Sequence, residues 1–149
     1  MRAVIQRVTR ARVTFDDGGE WREAGAIGPG LCVLVGVTHD DTPEKAKKLA
    51  AKLWKLRVFD DGDGVMNVST ADAGGEVLIV SQFTLYGDAR KGNRPTWIDA
   101  AKPDVAEPLI ELVVEELRSL GATVATGRFR TDMQVELVND GPSTLIHEI

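Results

Sequence analysis

Apolar and charged residues alternate from Ala3 to Phe15, which predicts a strand with one buried face. The following Gly18–Gly19 supplies the flexible residues of a hairpin turn, and a return strand is predicted from Trp21 to Ile27. The run from Leu31 to Val37 is apolar throughout, as in a central strand that is covered on both faces. The N-terminal part of the chain is therefore predicted to form strands joined by short turns.

Two later segments have the spacing of amphipathic helices. The first begins at Thr42–Pro43, because a threonine oxygen caps a helix and proline suits its first position. The second is predicted to begin at Asp104, with Glu107 completing a capping box, and to end at Gly121. This start places Pro108 in the first turn, where its missing N–H costs little. The stripes predicted to face the core are Ala46, Leu49, Ala50, Leu53, Trp54 and Leu56 in the first helix and Leu109, Leu112, Val113, Leu117 and Leu120 in the second.

Strand candidates outnumber these helices. Glu76 to Tyr86 predicts one long apolar strand, and residues 122–129, 132–138 and 143–149 are three more candidates. The turns are short, and no linker, repeat or low-complexity segment divides the chain. At 149 residues the chain is long enough to bury one hydrophobic core without a metal or disulfide. We therefore predict a single α+β domain over residues 1–149, with a mainly antiparallel, barrel-like sheet and two packed helices.

The composition, 43% hydrophobic and 28% charged, is typical of a soluble globular protein. Charge interrupts the first residues too early for a secretory leader, and no apolar run approaches the roughly 20 residues that span a bilayer. The single cysteine, Cys32, lies in an apolar run, which favours a buried packing residue over a reactive thiol. We therefore expect a cytoplasmic protein without a membrane association.

The net charge of −5 argues against indiscriminate nucleic-acid binding. Basic residues nevertheless cluster at three places, which are Arg7/Arg10/Arg12, Arg90/Lys91/Arg94 and Arg128/Arg130. Solvated strand faces and loops are the commoner explanation of such clusters, and contact with phosphates is the alternative.

Patterns for metals and activated nucleophiles are weak. Asp60 to Gly64 has the letters of a calcium loop, but neither glycine register places acids at the first and last EF-hand positions, so a polar turn is predicted. His39 and His147 lie far apart in sequence and form no zinc-spaced set with Cys32. Neither histidine is an evident base for a serine or cysteine triad. We expect no metal site.

The segment Ser81–Tyr86, SQFTLY, places three hydrogen-bonding side chains at the end of an apolar strand. Strand alternation would put Gln82 and Thr84 together on one face. Polar groups at a strand end that opens into a glycine-rich loop can form a ligand pocket. A strand that simply emerges into solvent has the same pattern, so both interpretations stay open on physical grounds.

Several motifs occur in a distinctive order: QRV near the start, then GGEVLIVSQFTLYGD, KGNRP, TGRF, DMQVELVNDGP and the final GPST. Together they resemble the D-aminoacyl-tRNA deacylases over nearly the whole chain, and SQFTLY with NDGP is far more specific than either motif alone. The resemblance implies a cytosolic homodimer that hydrolyses the ester between a D-amino acid, or glycine, and the 3′-terminal ribose of tRNA. It implies no cofactor, no metal, no membrane and no DNA partner.

The resemblance also gives the Gly-Pro motif a role. The Gly141–Pro142 peptide bond is expected to be cis and to reach from one subunit into the active site of the other, with Arg7 helping to hold it. Carbonyl oxygens there would accept hydrogen bonds from the α-amino group of the substrate. Rigid backbone would clash with an L side chain and tolerate the hydrogen that a D substrate presents.

Gln82, Phe83 and Thr84 are the expected catalytic residues, which position the ester and the ribose while the ribose 2′-hydroxyl assists the attack. Ser81 is expected to bind the substrate, and the Phe83 N–H is a candidate oxyanion donor. Phe83 and Met133 are candidates to line an adenosine pocket, although a core role explains Met133 equally well. Two alternatives stay open: a hydrolase with Thr84 as covalent nucleophile, and a non-catalytic module that binds the tRNA end.

Two residues depart from the common pattern of these proteins. Ser143 follows the Gly-Pro where an aliphatic residue is usual, and Trp97 follows RPT where phenylalanine is common. Neither residue lies within SQFTLY or the Gly-Pro, so we expect these two departures to affect only substrate fit and loop packing. Among the basic clusters, we expect Arg90/Lys91/Arg94 to meet the acceptor end of tRNA.

Overall fold

The long first strand organises the sheet. In the computed structural model, which describes residues 1–149, its first half pairs with the third strand and its second half pairs with the second strand. Along its opposite edge it pairs with the last strand, and all three pairings are antiparallel. The elements in chain order are β1 (Arg2–Asp17), β2 (Glu20–Ile27), β3 (Gly30–Gly36), α1 (Pro43–Lys55), β4 (Phe59–Asp60), β5 (Met66–Val68), β6 (Glu76–Ser81), a 3₁₀ turn (Phe83–Tyr86), α2 (Pro103–Ser119), β7 (Val124–Thr126) and β8 (Met133–Glu148).

The main sheet runs β2-β1-β3-β6-β7, with β8 on the other edge of β1, and it nearly closes into a barrel. The pairs β3–β6 and β6–β7 are parallel, whereas every pair made by β1 is antiparallel. Gly25 of β2 lets the two ends of the sheet approach, because a Cβ there would lie 2.8 Å from the Thr126 carbonyl oxygen of β7. The predicted α+β fold, with a barrel-like sheet and two packed helices, is confirmed.

The two helices pack against each other and share the main hydrophobic core with β1, β3 and β6. Thr42 caps α1, as predicted, by accepting a hydrogen bond from the Lys45 N–H at 3.3 Å. The opposite faces of β3 enter different clusters: Leu31 belongs to the main core, whereas Cys32 belongs to a smaller cluster. Cys32 is buried, as expected, and burial raises the pKa of its thiol to about 11. Neither helix is long and apolar enough to cross a membrane.

The start of α2 differs from the sequence prediction. The helix begins at Pro103 and no side chain caps it, so the capping box of Asp104 and Glu107 does not form. Proline is favoured at the first helical position because its φ is preset and its nitrogen needs no partner there. Pro108 consequently lies inside the helix rather than in its first turn. The end is as predicted, because Gly121 follows the helix with a φ of 106°.

The strand predicted from Glu76 to Tyr86 is shorter than expected. β6 ends at Ser81, and the chain then enters the 3₁₀ turn. The reason lies in the partner strand: Ser81 pairs with Val35, and β3 ends at Gly36. The Gln82 N–H still donates to the Val35 carbonyl at 2.8 Å, but the residues after Gln82 have no strand to bond. The expected placement of Gln82 and Thr84 on one strand face is therefore wrong.

Two predicted C-terminal strands are a single strand. The candidates at 132–138 and 143–149 are joined in β8, which continues through Gly141–Pro142. Of the candidate at 122–129, only the middle forms a strand, β7. The residues of β1 on either side of Arg7 pair with Asn139 and Thr144. Residues 140–143 therefore bulge out of the ladder opposite Arg7, which a turn prediction from the Gly-Pro sequence does not show.

The predicted polar turn at Asp60 to Gly64 lies in the hairpin between β4 and β5. The Asp61 carboxylate accepts backbone N–H bonds from Asp63 at 2.9 Å and Val65 at 3.0 Å, and these bonds lower its pKa. The segment thus uses its carboxylate to close its own turn.

Candidate functional site

A cavity of about 600 Å³ opens where the neighbouring parallel strands β3 and β6 end. The carboxyl ends of parallel strands are a common place for ligands, because loops diverge there. Its walls are formed by Val35, Val37, Val80, Ser81, Gln82, Phe83, Trp97, Ala100, Ala101, Pro103, Ala106, Phe129, Arg130, Thr131, Asp132, Met133 and Val135. Four of the predicted site residues, Ser81, Gln82, Phe83 and Met133, therefore share one cavity.

Thr84 is not part of the cavity wall, but its hydroxyl is tied to a wall residue. The side-chain amide of Gln82 donates a hydrogen bond to Thr84 Oγ1, and no carboxylate, imidazole or amine bonds to that hydroxyl. A threonine hydroxyl without a neighbouring base is a weak nucleophile. The pair can position a substrate, but the structure supplies no base to activate Thr84.

The 3₁₀ turn is fixed from outside by Arg2. Its Nη1 donates a hydrogen bond to the Leu85 carbonyl at 2.6 Å, and its guanidinium lies 4.7 Å from the centre of the Tyr86 ring. Burial is the main cause that raises the pKa of Tyr86 to about 12. Gly36 allows the turn to pack on β3, because a Cβ there would lie 3.0 Å from the Gln82 carbonyl oxygen.

Two aromatic side chains form the mouth of the cavity. Phe83 is 54% exposed and Trp97 is 45% exposed, and their rings meet edge to face with centroids 5.5 Å apart. Such an arrangement is favourable for aromatic rings. The two rings leave a large apolar surface open to solvent beside the cavity.

Met133 and Phe129 border both this cavity and a second one of about 370 Å³ that follows α2. Met133 also packs against the smaller hydrophobic cluster, so it both lines a cavity and contributes to the core. The second cavity has an acidic side, because Glu107, Glu111 and Glu115 line it at successive turns of the helix.

Gly141–Pro142 lies elsewhere on the chain. The peptide bond is cis, both residues are exposed, and neither lines the cavity of its own chain. Arg7 is 6% exposed and holds the bulge, with its Nε 3.1 Å from Asp140 Oδ2 and its Nη1 donating to the Val58 carbonyl at 2.6 Å. The buried guanidinium thus ties the Gly-Pro segment to the loop before β4.

Asn139 and Ser143 fasten the two ends of the bulge. The Asn139 side chain donates hydrogen bonds to the carbonyl oxygens of Arg7 at 2.9 Å and Ser143 at 3.2 Å. Ser143 is buried, and its hydroxyl donates to Met66 Sδ at 3.2 Å. A serine at this position therefore makes a polar contact with β5, where an aliphatic side chain would make only an apolar one.

The basic clusters differ in how much charge they leave unpaired. Arg90 is paired with Asp88, and the hydrogen bond from its side chain is the main cause that lowers the pKa of Asp88 to about 2. Lys91 and Arg94, in the same loop, are exposed and form no ion pair.

In the first cluster, Arg10 and Arg12 both pair with Glu136, and Arg7 is occupied by the bulge. In the third, the Arg128 guanidinium lies 5.1 Å from the Phe15 ring.

Sequence reasoning missed much of the cavity wall. Ala106 comes from the start of α2, and Ala101, Trp97 and Phe129 come from loops, so no periodic pattern links them to the end of β6. Phe129 belongs to the TGRF motif, and that motif was the one signal that could have drawn attention to it.

Comparison with known proteins identifies related sequences over the full length. A family model described as D-Tyr-tRNA(Tyr) deacylase matches residues 4–148. A protein of Streptomyces coelicolor named D-aminoacyl-tRNA deacylase is 59% identical, with 100% of both chains covered. A protein of the same name from Heliobacterium modesticaldum is 57% identical and covers 99% of this chain and 96% of its own.

Two solved structures have the same fold. One, described as a c-Myc DNA Unwinding Element Binding Protein, has a TM-score of 0.90 and 41% identity, and covers 100% of this chain and 99% of its own. The other, described as a probable eukaryotic D-amino acid tRNA deacylase, has a TM-score of 0.81 over 99% of this chain and 98% of its own. At 17% identity the second likeness concerns the fold alone.

Proposed function

This chain belongs to the D-Tyr-tRNA(Tyr) deacylase family, and from that membership we propose that its main cavity receives the 3′-terminal adenosine of a D-aminoacyl-tRNA. The chain is a hydrolase that acts on ester bonds, with D-aminoacyl-tRNA as substrate. The observation that carries the proposal is the position of the SQFTLY motif, whose first three residues line the cavity. Because translation uses aminoacyl-tRNA, the cytoplasm is the proposed location.

The size and lining of the cavity suit a nucleoside. Its volume of about 600 Å³ is in the range of small-molecule sites, which are mostly apolar with a few polar groups. Alanines just before α2 and near its start leave room for a base, whereas Phe83 and Met133 offer apolar faces. Ser81 and Gln82 supply the polar groups that can orient the ribose and the ester.

The proposed hydrolysis uses water and the substrate itself. Thr84 has no base beside it, so we assign Gln82 and Thr84 to positioning and the Phe83 N–H to the oxyanion. The 2′-hydroxyl of the terminal ribose assists the attack of water on the ester. No acid or base from the protein is then required.

Selection of the D form is assigned to Gly141–Pro142 of a second subunit. The motif is exposed and held in place by Arg7, but it does not line the cavity of its own chain, which supports a role in the partner. Carbonyl oxygens of the motif bind the α-amino group, and the backbone clashes with an L side chain while glycine, which has no side chain, passes. A clash of about 4 kcal/mol gives roughly thousandfold rejection.

A homodimer is therefore part of the proposal. β8 pairs only with β1, so its other edge is open, and it exposes apolar side chains along its length. Ile146 is 73% exposed, and Leu145 and Val138 are each 41% exposed. Apolar surface at an open strand edge suits a contact with another chain.

Substitution of Ala106 tests whether the cavity holds the nucleoside. Ala106→Leu puts three additional carbon atoms into the cavity, and we expect the KM for D-aminoacyl-tRNA to rise at least about tenfold. The matched control is Val105→Leu, because Val105 is the preceding residue of α2, is exposed and does not line the cavity. Steady-state kinetics and thermal melting of both variants are compared. Unchanged kinetics for a folded Ala106→Leu would place the nucleoside elsewhere.

A further inference from the structure

Much of the surface of the aromatic pair at the cavity mouth is not used for packing within the chain. Phe83 and Trp97 contact each other, but about half of each side chain remains in solvent. The cavity behind them is assigned to one nucleoside, so the outer surface of Trp97 has no partner within the proposed function. Exposed aromatic rings beside a ligand site are suitable for stacking on a second planar group.

Trp97 is held in place before any ligand binds. Its six-membered ring packs on Gly87, where a Cβ would lie only 2.5 Å from Trp97 Cζ3. The loop that carries it is closed by two backbone hydrogen bonds of 2.9 Å between Asp88 and Thr96. A ring fixed in this way loses little freedom when a base stacks on it.

The next residues of the loop are also fastened to the rest of the chain. Thr38 Oγ1 donates to the Asp99 carbonyl at 2.5 Å, and His39 Nε2 is 2.5 Å from the Ile98 carbonyl oxygen. The mouth of the cavity is therefore built on fixed backbone at both sides of Trp97.

Charge indicates the direction in which a nucleic-acid strand leaves the cavity. Lys91 and Arg94 lie in the loop before Trp97, are exposed and form no ion pair. The neighbouring cavity has mixed charge, because Glu107, Glu111 and Glu115 line it together with Arg118 and Arg128, so it is the less favourable surface for phosphates. Cations together with an exposed aromatic ring are the combination that binds single-stranded nucleic acid without reading its sequence.

Resting on the proposed function, we propose that Trp97 stacks on the base of the penultimate nucleotide of the aminoacyl-tRNA. Lys91 and Arg94 face the phosphates of the same unpaired 3′ strand. Stacking on an aromatic ring requires a base whose face is open, which an unpaired strand offers and the interior of a duplex does not, so this contact favours a single-stranded acceptor end. Trp97 is thus a binding residue for the strand, distinct from the groups that hold the ester.

A substrate series tests this assignment. The substrates are D-aminoacyl-tRNA, the same tRNA with an abasic penultimate nucleotide, and 3′-O-D-aminoacyl-adenosine. For Trp97→Ala we expect the KM for intact tRNA to rise about tenfold, with kcat little changed. Trp97→Phe should restore most of the affinity. Trp21→Ala is the matched control, because Trp21 is 47% exposed and does not line the cavity.

The decisive outcome is the coupling between the two changes. The abasic tRNA should raise the KM of the unmodified protein about tenfold and have little further effect in Trp97→Ala. Independent, multiplicative effects would overturn the proposal, and so would an equal loss on intact tRNA and on D-aminoacyl-adenosine, because Trp97 would then only shape the adenosine cavity. Absence of hydrolysis of every substrate by the unmodified protein would instead contradict the proposed function itself.

Discussion

D-Aminoacyl-tRNA that ends in 2′-deoxyadenosine should be hydrolysed at least about a hundredfold more slowly than the ribose form, which is the lower range for loss of one proton-transfer group. The expectation follows from Thr84, whose hydroxyl bonds only to Gln82 and has no base beside it. The proposed assisting group is therefore the ribose 2′-hydroxyl. Single-turnover rates with both substrates measure the effect.

Two controls make the result specific. The spontaneous hydrolysis of both esters is measured without protein, because the deoxy ester is also less reactive by itself. Thr84→Ala is tested with the ribose substrate, and it should keep most of the rate constant, because the proposed role of Thr84 is only to position the substrate. A large loss in Thr84→Ala, together with an unaffected deoxy substrate, would identify Thr84 as the nucleophile. Binding without hydrolysis of either ester would leave only a tRNA-end binding module.

Gly141→Leu should lower hydrolysis of D-aminoacyl-tRNA at least about a hundredfold while the melting temperature changes little. A Cβ at Gly141 meets nothing closer than 3.8 Å in its own chain, so the new side chain is tolerated there. In the partner subunit it would occupy the position where the proposed motif meets the substrate, and each 1.4 kcal/mol of clash is worth about tenfold. Rate constants and thermal melting are both measured.

The matched control is Gly62→Leu, because Gly62 lies in the β4–β5 turn and a Cβ there also meets nothing within 4 Å. It should keep the activity of the unmodified protein. Full activity of Gly141→Leu would show that residue 141 is outside every active site. A large drop in the melting temperature would instead indicate a structural role for the bulge.

Local patterns predicted most of the fold, because they depend on neighbours in sequence. The alternation from Ala3 to Phe15 and the cap at Thr42 each specify an element without reference to distant residues. The end of β6 could not be predicted in this way. It depends on where β3 stops, so the strand ends at Ser81 although Gln82 to Leu85 keep the alternation of a strand.

The sequence predicted only those residues of the cavity that belong to its motifs. The resemblance identified Ser81, Gln82 and Phe83, and the structure places them around one cavity. Trp97 and Ala106 reach that cavity through the packing of a loop and a helix, which no spacing encodes. The bulge opposite Arg7 could not be predicted either, because it follows from the register between the first and last strands.

Subunit mixing tests the central claim, that each active site combines the cavity of one chain with the Gly-Pro motif of another. At substrate concentrations well below KM, Ala106→Leu and Gly141→Leu are each expected to have low activity alone, and the two variants are refolded together in equal amounts. A mixed dimer then has one site with both changes and one site with neither. We predict recovery to about a quarter of the unmodified activity, since half of the dimers are mixed and half of their sites are intact. Activity no higher than the average of the two separate variants would show that each site lies within a single chain.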